Sequence, residues 1–211
     1  MLEIVTLVLG PVSTNAYLVA DPDTGEAAAI DPAWDGRLIS EEAMRRNWRI
    51  GQVWITHAHF DHIGGCGDLA RELEEAPVIA LHPHDRQLWK DKGGAALFGY
   101  SLPASPAPTL ELADGMELHL GQATFMVQHT PGHTPGHCIY YCAQAGVCFC
   151  GDLIFQNSVG RTDLPGGDWG ELEVSIRTKV YSLPDETRLL SGHGPETTVG
   201  LEKRGNPFVR A

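Results

Sequence analysis

Basic residues are scarce in this chain: 15 Lys and Arg stand against 27 Asp and Glu in 211 residues, a formal net charge of −12 at pH 7. Nucleic-acid backbones and anionic membrane surfaces attract basic patches, so the balance tells against both and leaves a small-molecule substrate as the expected partner. Long hydrophobic runs are missing too. No apolar stretch approaches the ~18 residues that span a bilayer, and Met1-Leu2-Glu3-Ile4-Val5 lacks the basic start and small-residue cleavage site of a secretory signal. Cysteine is sparse and odd in number, five in all. Four of them (Cys138, Cys142, Cys148, Cys150) crowd one strand-like stretch without a Cys-x2-Cys knuckle pair. A structural zinc or redox cluster is the sharper reading of that crowd; the spacing favours small buried hydrophobes in a hairpin. A reduced, cytoplasmic protein is expected.

Apolar residues are plentiful at 43%, and the length suits one filled domain over residues 1–211. Apolar, β-branched segments at 2–9, 16–20, 27–30, 52–56 and 78–81 predict strands, with amphipathic helices at 37–48 and 68–75 between them. Residues 93–108, with several Gly and Pro and few charges, predict a loop or flap. Strands follow at 116–120 and 124–128, then a hairpin of 138–142 with 147–150, a helix at 172–181, a short strand at 188–190 and a last helix at 196–204. Strands then helices, twice over, predict a mixed α/β fold: two sheets face to face with helices outside, an αββα sandwich.

The densest chemistry is Thr56-His57-Ala58-His59-Phe60-Asp61-His62, directly after the strand ending near Ile55. Side chains two apart on an extended segment point the same way, so His57 and His59 can share one cation. Asp61 and His62 follow where the chain turns toward helix and can aim at a neighbouring one. One segment rarely completes a metal site, and three strand ends offer further donors: the Gly/Pro turn Thr130-Pro131-Gly132-His133, Gly151-Asp152, and Gly192-His193-Gly194. His82 and His84 share ligand-like spacing, but no partner is evident beyond Asp85, and they read as strand-end surface residues. His119 and His129 read as packed or exposed strand residues.

The His-x-His-x-Asp-His run with the later His, Asp and His resembles the metallo-β-lactamase superfamily, and within it the short glyoxalase-II-like hydrolases, over nearly the whole chain. The resemblance implies one metal at His57, His59 and His133, a second at Asp61, His62 and His193, and the Asp152 carboxylate bridging both. It implies two divalent ions, Zn²⁺ or else Fe or Mn, since the donors are imidazole and carboxylate without thiolate. It also implies hydrolysis of a thioester or ester by a hydroxide held between the ions, with Asp152 and Asp61 as catalytic residues and Asp61 able to take up a proton. Asp31, in Ile30-Asp31-Pro32, resembles a family aspartate near the site; orienting a ligand histidine and forming a turn before proline are both open to it. His137 resembles a position beside the site that is not a ligand.

Arg161 in Gly160-Arg161-Thr162-Asp163 resembles the basic residue with which glyoxalase II relatives bind the glutathione carboxylate, a task that suits a guanidinium fork. The relatives' nearby tyrosine is Asp163 here, and eighteen residues follow His193 where full-length glyoxalase II continues into a helical domain. An iron-dependent persulfide dioxygenase resembles the same motifs and is the alternative; a lactonase is a further one. A β-lactamase fits the cytoplasmic expectation poorly, and a nuclease needs basic surface.

Overall fold

The computed structural model describes residues 2–210; Met1 and Ala211, the ends of the expected 1–211 domain, lie outside the described residues. The first sheet contains β1 (Glu3–Leu9), β2 (Thr14–Asp21), β3 (Glu26–Ile30), β4 (Arg49–Trp54), β5 (Val78–Leu81) and β6 (Leu110–Glu111), hydrogen-bonded in that order. Its first three strands meander antiparallel. From β3 onward the pairing is parallel, because helices α1 (Gly36–Arg45), α2 (Phe60–Ile63), α3 (Cys66–Glu72) and α4 (Arg86–Lys90) occupy the crossovers. The second half adds β7 (Glu117–Leu120), β8 (Ala123–His129), β9 (Cys138–Cys142), β10 (Val147–Gly151), a hairpin of β11 (Ile154–Phe155) and β12 (Ser158–Val159), α5 (Trp169–Ser175), β13 (Arg188–Ser191), β14 (Thr197–Thr198) and α6 (Val199–Gly205). The second sheet runs β14-β13-β10-β9-β8-β7.

Period-two alternation assigns each strand to two cores. In β2 Tyr17 and Val19 face the second sheet, while Ala16, Leu18 and Ala20 face the helices of the first half. In the second sheet Tyr140 and Phe149 point into the inter-sheet core, and Ile139 and Cys148 point out to α5 and α6. Between the sheets Trp54 packs edge-on to Phe125 at 4.9 Å, and Tyr17 to Phe149 at 5.2 Å. Helices, sheet, sheet, helices: the expected four layers are present.

All five cysteines are free and buried. The crowded four divide between faces, Cys138 and Cys142 inward and Cys148 and Cys150 outward, so alternation separates what sequence places together. Several expected elements differ in their bounds; the helix predicted over 172–181 begins at Trp169 and passes after Ser175 into a π-helical turn, Ile176–Val180. The helix predicted over 196–204 begins at Val199, because Thr197 and Thr198 first pair with β13 and the Thr198 hydroxyl caps the helix by accepting from Leu201 N–H at 3.3 Å. The flap predicted over 93–108 starts as 3-10 turns at Lys92–Phe98 that pack against α2, placing Phe98 5.2 Å from the Phe60 ring.

Candidate metal centre

Every candidate ligand sits just past a strand. β4 ends at Trp54, and Ile55 to His59 lead on to α2, whose first turn carries Asp61 and His62. The β8–β9 loop carries His133, the residue after β10 is Asp152, and His193 follows β13. Gly151 lies at φ +45°, and a Cβ there would fall 2.5 Å from the Thr56 hydroxyl, so this exit from β10 needs glycine.

The imidazoles of His57, His59 and His133 converge: His133 Nε2 lies 2.9 Å from His59 Nδ1 and 3.2 Å from His57 Nε2. Tetrahedral coordination at a metal–nitrogen bond near 2.0–2.1 Å spaces nitrogens by roughly 3.3 Å, so this trio fits a cation. Asp61, His62 and His193 form a second donor group. His193 Nε2 is 3.2 Å from Asp61 Oδ2, and His62 Nε2 is 3.5 Å from the same oxygen. Asp152 stands between the groups, with Oδ1 3.3 Å from His62 Nε2 and Oδ2 3.6 Å from His133 Nε2 and 3.5 Å from His193 Nε2. His62 Nε2 and Asp152 Oδ1 are both fully buried without a hydrogen-bond partner. Orphaned buried atoms of that kind are costly unless an ion satisfies them. The donor set fits two divalent cations.

The electrostatics agree. Burial alone lowers the pKa of His62, yet Asp152, Asp61 and Asp31 outweigh it and hold the pKa well above the ordinary histidine value. A cluster that attracts a proton so strongly attracts a metal, whose binding displaces that proton. Burial, with the surrounding imidazoles, pushes His57 well below its ordinary value and His59 to about 3, so both are neutral and offer lone pairs. Burial works against ionisation of Asp152, but His62, His133 and His193 keep it anionic, well below the usual carboxylate range.

A layer of contacts behind the donors sets their orientation. Asp31 accepts from Thr56 N–H (2.7 Å) and the Thr56 hydroxyl (2.6 Å), and its Oδ2 is 2.9 Å from His62 Nδ1. The His62 proton is thereby held on Nδ1 and the lone pair turned into the site. These contacts suit an orienting role for Asp31, and its backbone at φ +46° also turns the chain before Pro32. The Arg161 carbonyl does the same for His133, accepting from Nδ1 at 2.7 Å. His137, fully buried, stacks on the His57 ring at 5.2 Å, and its Nε2 is likewise without a hydrogen-bond partner.

Sequence reasoning missed two members of this layer. The buried Asp85 carboxylate accepts from Ala58 N–H (2.9 Å), the Thr134 hydroxyl (2.8 Å) and Gly136 N–H (2.7 Å), tying the two ligand-bearing loops together. The Thr14 hydroxyl donates to Asp61 Oδ2 at 3.0 Å. Both act across long sequence separations, and neither carries a local signal.

The donors open into a cavity of about 200 Å³ lined by Val12, Phe60, Phe98, Leu164 and Arg161 besides the site residues. Arg161 reaches it with its fork engaged by the Asp163 carboxylate at 2.7 and 2.8 Å, both side chains more than half exposed.

Comparisons with known proteins bear on the family and the fold. The profile of the metallo-beta-lactamase superfamily matches residues 9–193. The probable metallo-hydrolase YqgX of Bacillus subtilis is 39% identical, over 95% of this chain and 94% of its own. The hydroxyacylglutathione hydrolase GloC of Haemophilus influenzae is 34% identical, over 93% of each. Among solved structures, BLEG-1 B3 metallo-beta-lactamase superimposes with a TM-score of 0.91 at 37% identity and full coverage of both chains. TTHA1623 in a di-iron-bound form gives 0.88 at 39%, covering 97% of this chain and 100% of that one. ETHE1 from Myxococcus xanthus gives 0.80 at 27%, covering 97% and 83%. With its fold, its paired donor groups and its relatives in accord, the chain belongs to the metallo-β-lactamase superfamily.

Proposed function

We propose that this protein is a two-metal hydrolase of thioester and ester substrates, of the hydroxyacylglutathione hydrolase type. The observation that carries the reading is the position of Asp152, within 3.6 Å of donors from both groups. The name of the Haemophilus influenzae relative supports it. His57, His59 and His133 would hold one cation and Asp61, His62 and His193 the other, with the Asp152 carboxylate placed between the two groups. Zn²⁺ is the proposed metal on its preference for imidazole and carboxylate, with Fe or Mn compatible with the same donors; one relative is di-iron-bound. When bound, such a pair supplies Lewis acidity and an acidified water.

The protein's own part is orientation and exclusion. Asp31 and the Arg161 carbonyl aim His62 and His133, while Val12, Phe60, Phe98 and Leu164 form apolar walls. Burial raises the Asp61 pKa, but His62 and His193 outweigh it and bring it to about 2. Asp61 is therefore a ligand first and a weak proton acceptor second. The reading extends to a single-domain, cytoplasmic enzyme acting on small molecules. No helix among the described residues is long and apolar enough to cross a membrane.

Elemental analysis of the native protein is the deciding measurement, with close to two transition-metal ions per chain expected. The second reading, an iron-dependent persulfide dioxygenase, draws support from the likeness to ETHE1 and predicts one iron and oxygen uptake instead. A clean one-iron stoichiometry overturns the hydrolase.

Arg161 is the proposed substrate-binding residue. Its exposed pair with Asp163 is worth only ~0–1 kcal/mol, so a substrate carboxylate can displace Asp163. Arg161→Ala is expected to raise KM for S-lactoylglutathione roughly ten- to a hundredfold, the loss of a charge-assisted contact of ~1.5–3 kcal/mol. A neutral thioester should change little. Equal losses on acidic and neutral substrates identify Arg161 as a brace for its loop and remove the specificity claim.

A further inference from the structure

We propose that Phe60 and Phe98 form a subsite for the acyl group of the substrate, and that this protein prefers thioesters of apolar carboxylic acids. The inference rests on the hydrolase reading and adds the substrate class to it. Apart from the donors, the cavity is lined by the apolar side chains of Val12, Phe60, Phe98 and Leu164 and by one cation, Arg161. Phe60 stands between the candidate ligands His59 and Asp61 in the chain, so the apolar wall begins at the donors themselves.

Two features set this wall apart from ordinary surface. Val12 and Phe98 are each 44% exposed, and Tyr100, stacked on Phe60 at 5.3 Å, is 36% exposed. Single apolar side chains on a surface call for no explanation, but rings gathered around a cavity mark a ligand-binding face. The rings are also fixed in place. Phe98 packs on Phe60 at 5.2 Å, and Trp34 meets Phe60 and Tyr100 edge-on at 6.5 and 5.7 Å. Gly93, at φ +65°, brings the 3-10 turns so close to α2 that a Cβ there would lie 2.2 Å from the Phe60 nitrogen. A wall held in this way loses little freedom when a ligand covers it.

The chemistry of the lining selects its occupant. Arg161 is the one lining cation outside the donors and suits a carboxylate on the thiol portion, which leaves the rings to the acyl portion. At about 200 Å³ the cavity is smaller than the roughly 300–1,000 Å³ of pockets that enclose whole drug-sized ligands, so it covers one end of a substrate. An apolar chain gains by leaving water there. A polar chain would give up its hydration unpaired, because the apolar side chains offer it no hydrogen bond. Complete burial is worth about fourfold per methylene, and a wall still open on one side should give roughly two- to fourfold.

The test uses N-acetylcysteamine thioesters of acetic, butyric and hexanoic acid, which carry no carboxylate and so make no demand on Arg161. In the wild-type enzyme kcat/KM is expected to rise roughly 15- to 250-fold from acetyl to hexanoyl, mainly through KM. Phe98→Ala should flatten the series and Phe98→Leu should keep most of it. Leu97→Ala, 74% exposed and outside the lining, should keep all of it. The matching S-alkyl thioethers cannot be hydrolysed, and their affinity by calorimetry should climb with chain length in the same way. A flat acyl series in a wild type that cleaves every member overturns the proposal and leaves the hydrolase reading standing. So does a slope that persists unchanged in Phe98→Ala, since the chain would then lie elsewhere. If no thioester is cleaved, the hydrolase reading falls on its own and the thioethers decide the subsite. Affinity that climbs with length in wild type and not in Phe98→Ala upholds it, and flat affinity overturns it.

Discussion

Asp152→Ala is expected to empty both halves of the metal centre together and reduce hydrolysis by well over a hundredfold, more than the ten- to hundredfold typical of losing a residue behind the ligands. Its two oxygens face different partners, Oδ1 toward His62 and Oδ2 toward His133 and His193. Removing the carboxylate also takes the one anion shared by those three imidazoles, so two cations in adjacent sites would repel with less to offset them. His193→Ala is the informative comparison. His193 is the most exposed of the donors and contacts Asp61 and Asp152, so its loss should release one ion and spare the site at His57, His59 and His133. Elemental analysis and kcat/KM on the two variants separate the roles. Full occupancy of both sites in Asp152→Ala would refute the bridging assignment, whatever the activity.

The local part of this centre was legible in the sequence because its rules are local. Alternation on an extended segment pairs His57 with His59, and glycine beside Asp152 and His193 marks close approach. The layers were legible for the same reason, since β2 and β9 bury both faces with two different apolar sets. What escaped depends on contacts between distant segments. Asp85 bonds residues 27, 49 and 51 positions away, and nothing near it distinguishes it from a surface aspartate in a turn. His82 and His84 have a third imidazole beside them, that of His129 from the opposite sheet, which no local pattern reveals. The start of α6 was displaced for a similar reason: a two-residue pairing with β13 overrides the helical pattern of the segment. The donor residues mark the candidate site in the sequence, whereas a carboxylate such as Asp85, which joins two distant loops, is visible only once the chain is folded.

Gly192→Ala should leave the fold intact and cripple the centre. A Cβ at Gly192 would lie 2.2 Å from Asp152 Oδ1 and 2.6 Å from His62 Cε1. The backbone cannot retreat, because Gly192 N–H donates to the Gly151 carbonyl at 2.8 Å and its own carbonyl accepts from Asn15 N–H at 2.7 Å. The parts free to move are therefore the two side chains, and both are proposed ligands. Displacing them by even an ångström breaks the alignment on which a metal site depends, with a loss in metal affinity of about ten- to a hundredfold expected. Strain of this kind costs about 1–3 kcal/mol, a modest fraction of a typical folding free energy, so the variant should remain folded by circular dichroism. Gly51→Ala, in β4, is the control: no heavy atom stands within 4 Å of the added carbon, and activity should stay at the wild-type level. Wild-type metal content in Gly192→Ala would mean that Asp152 and His62 can yield without cost, and the proposed assignment of the second donor group would fall with it.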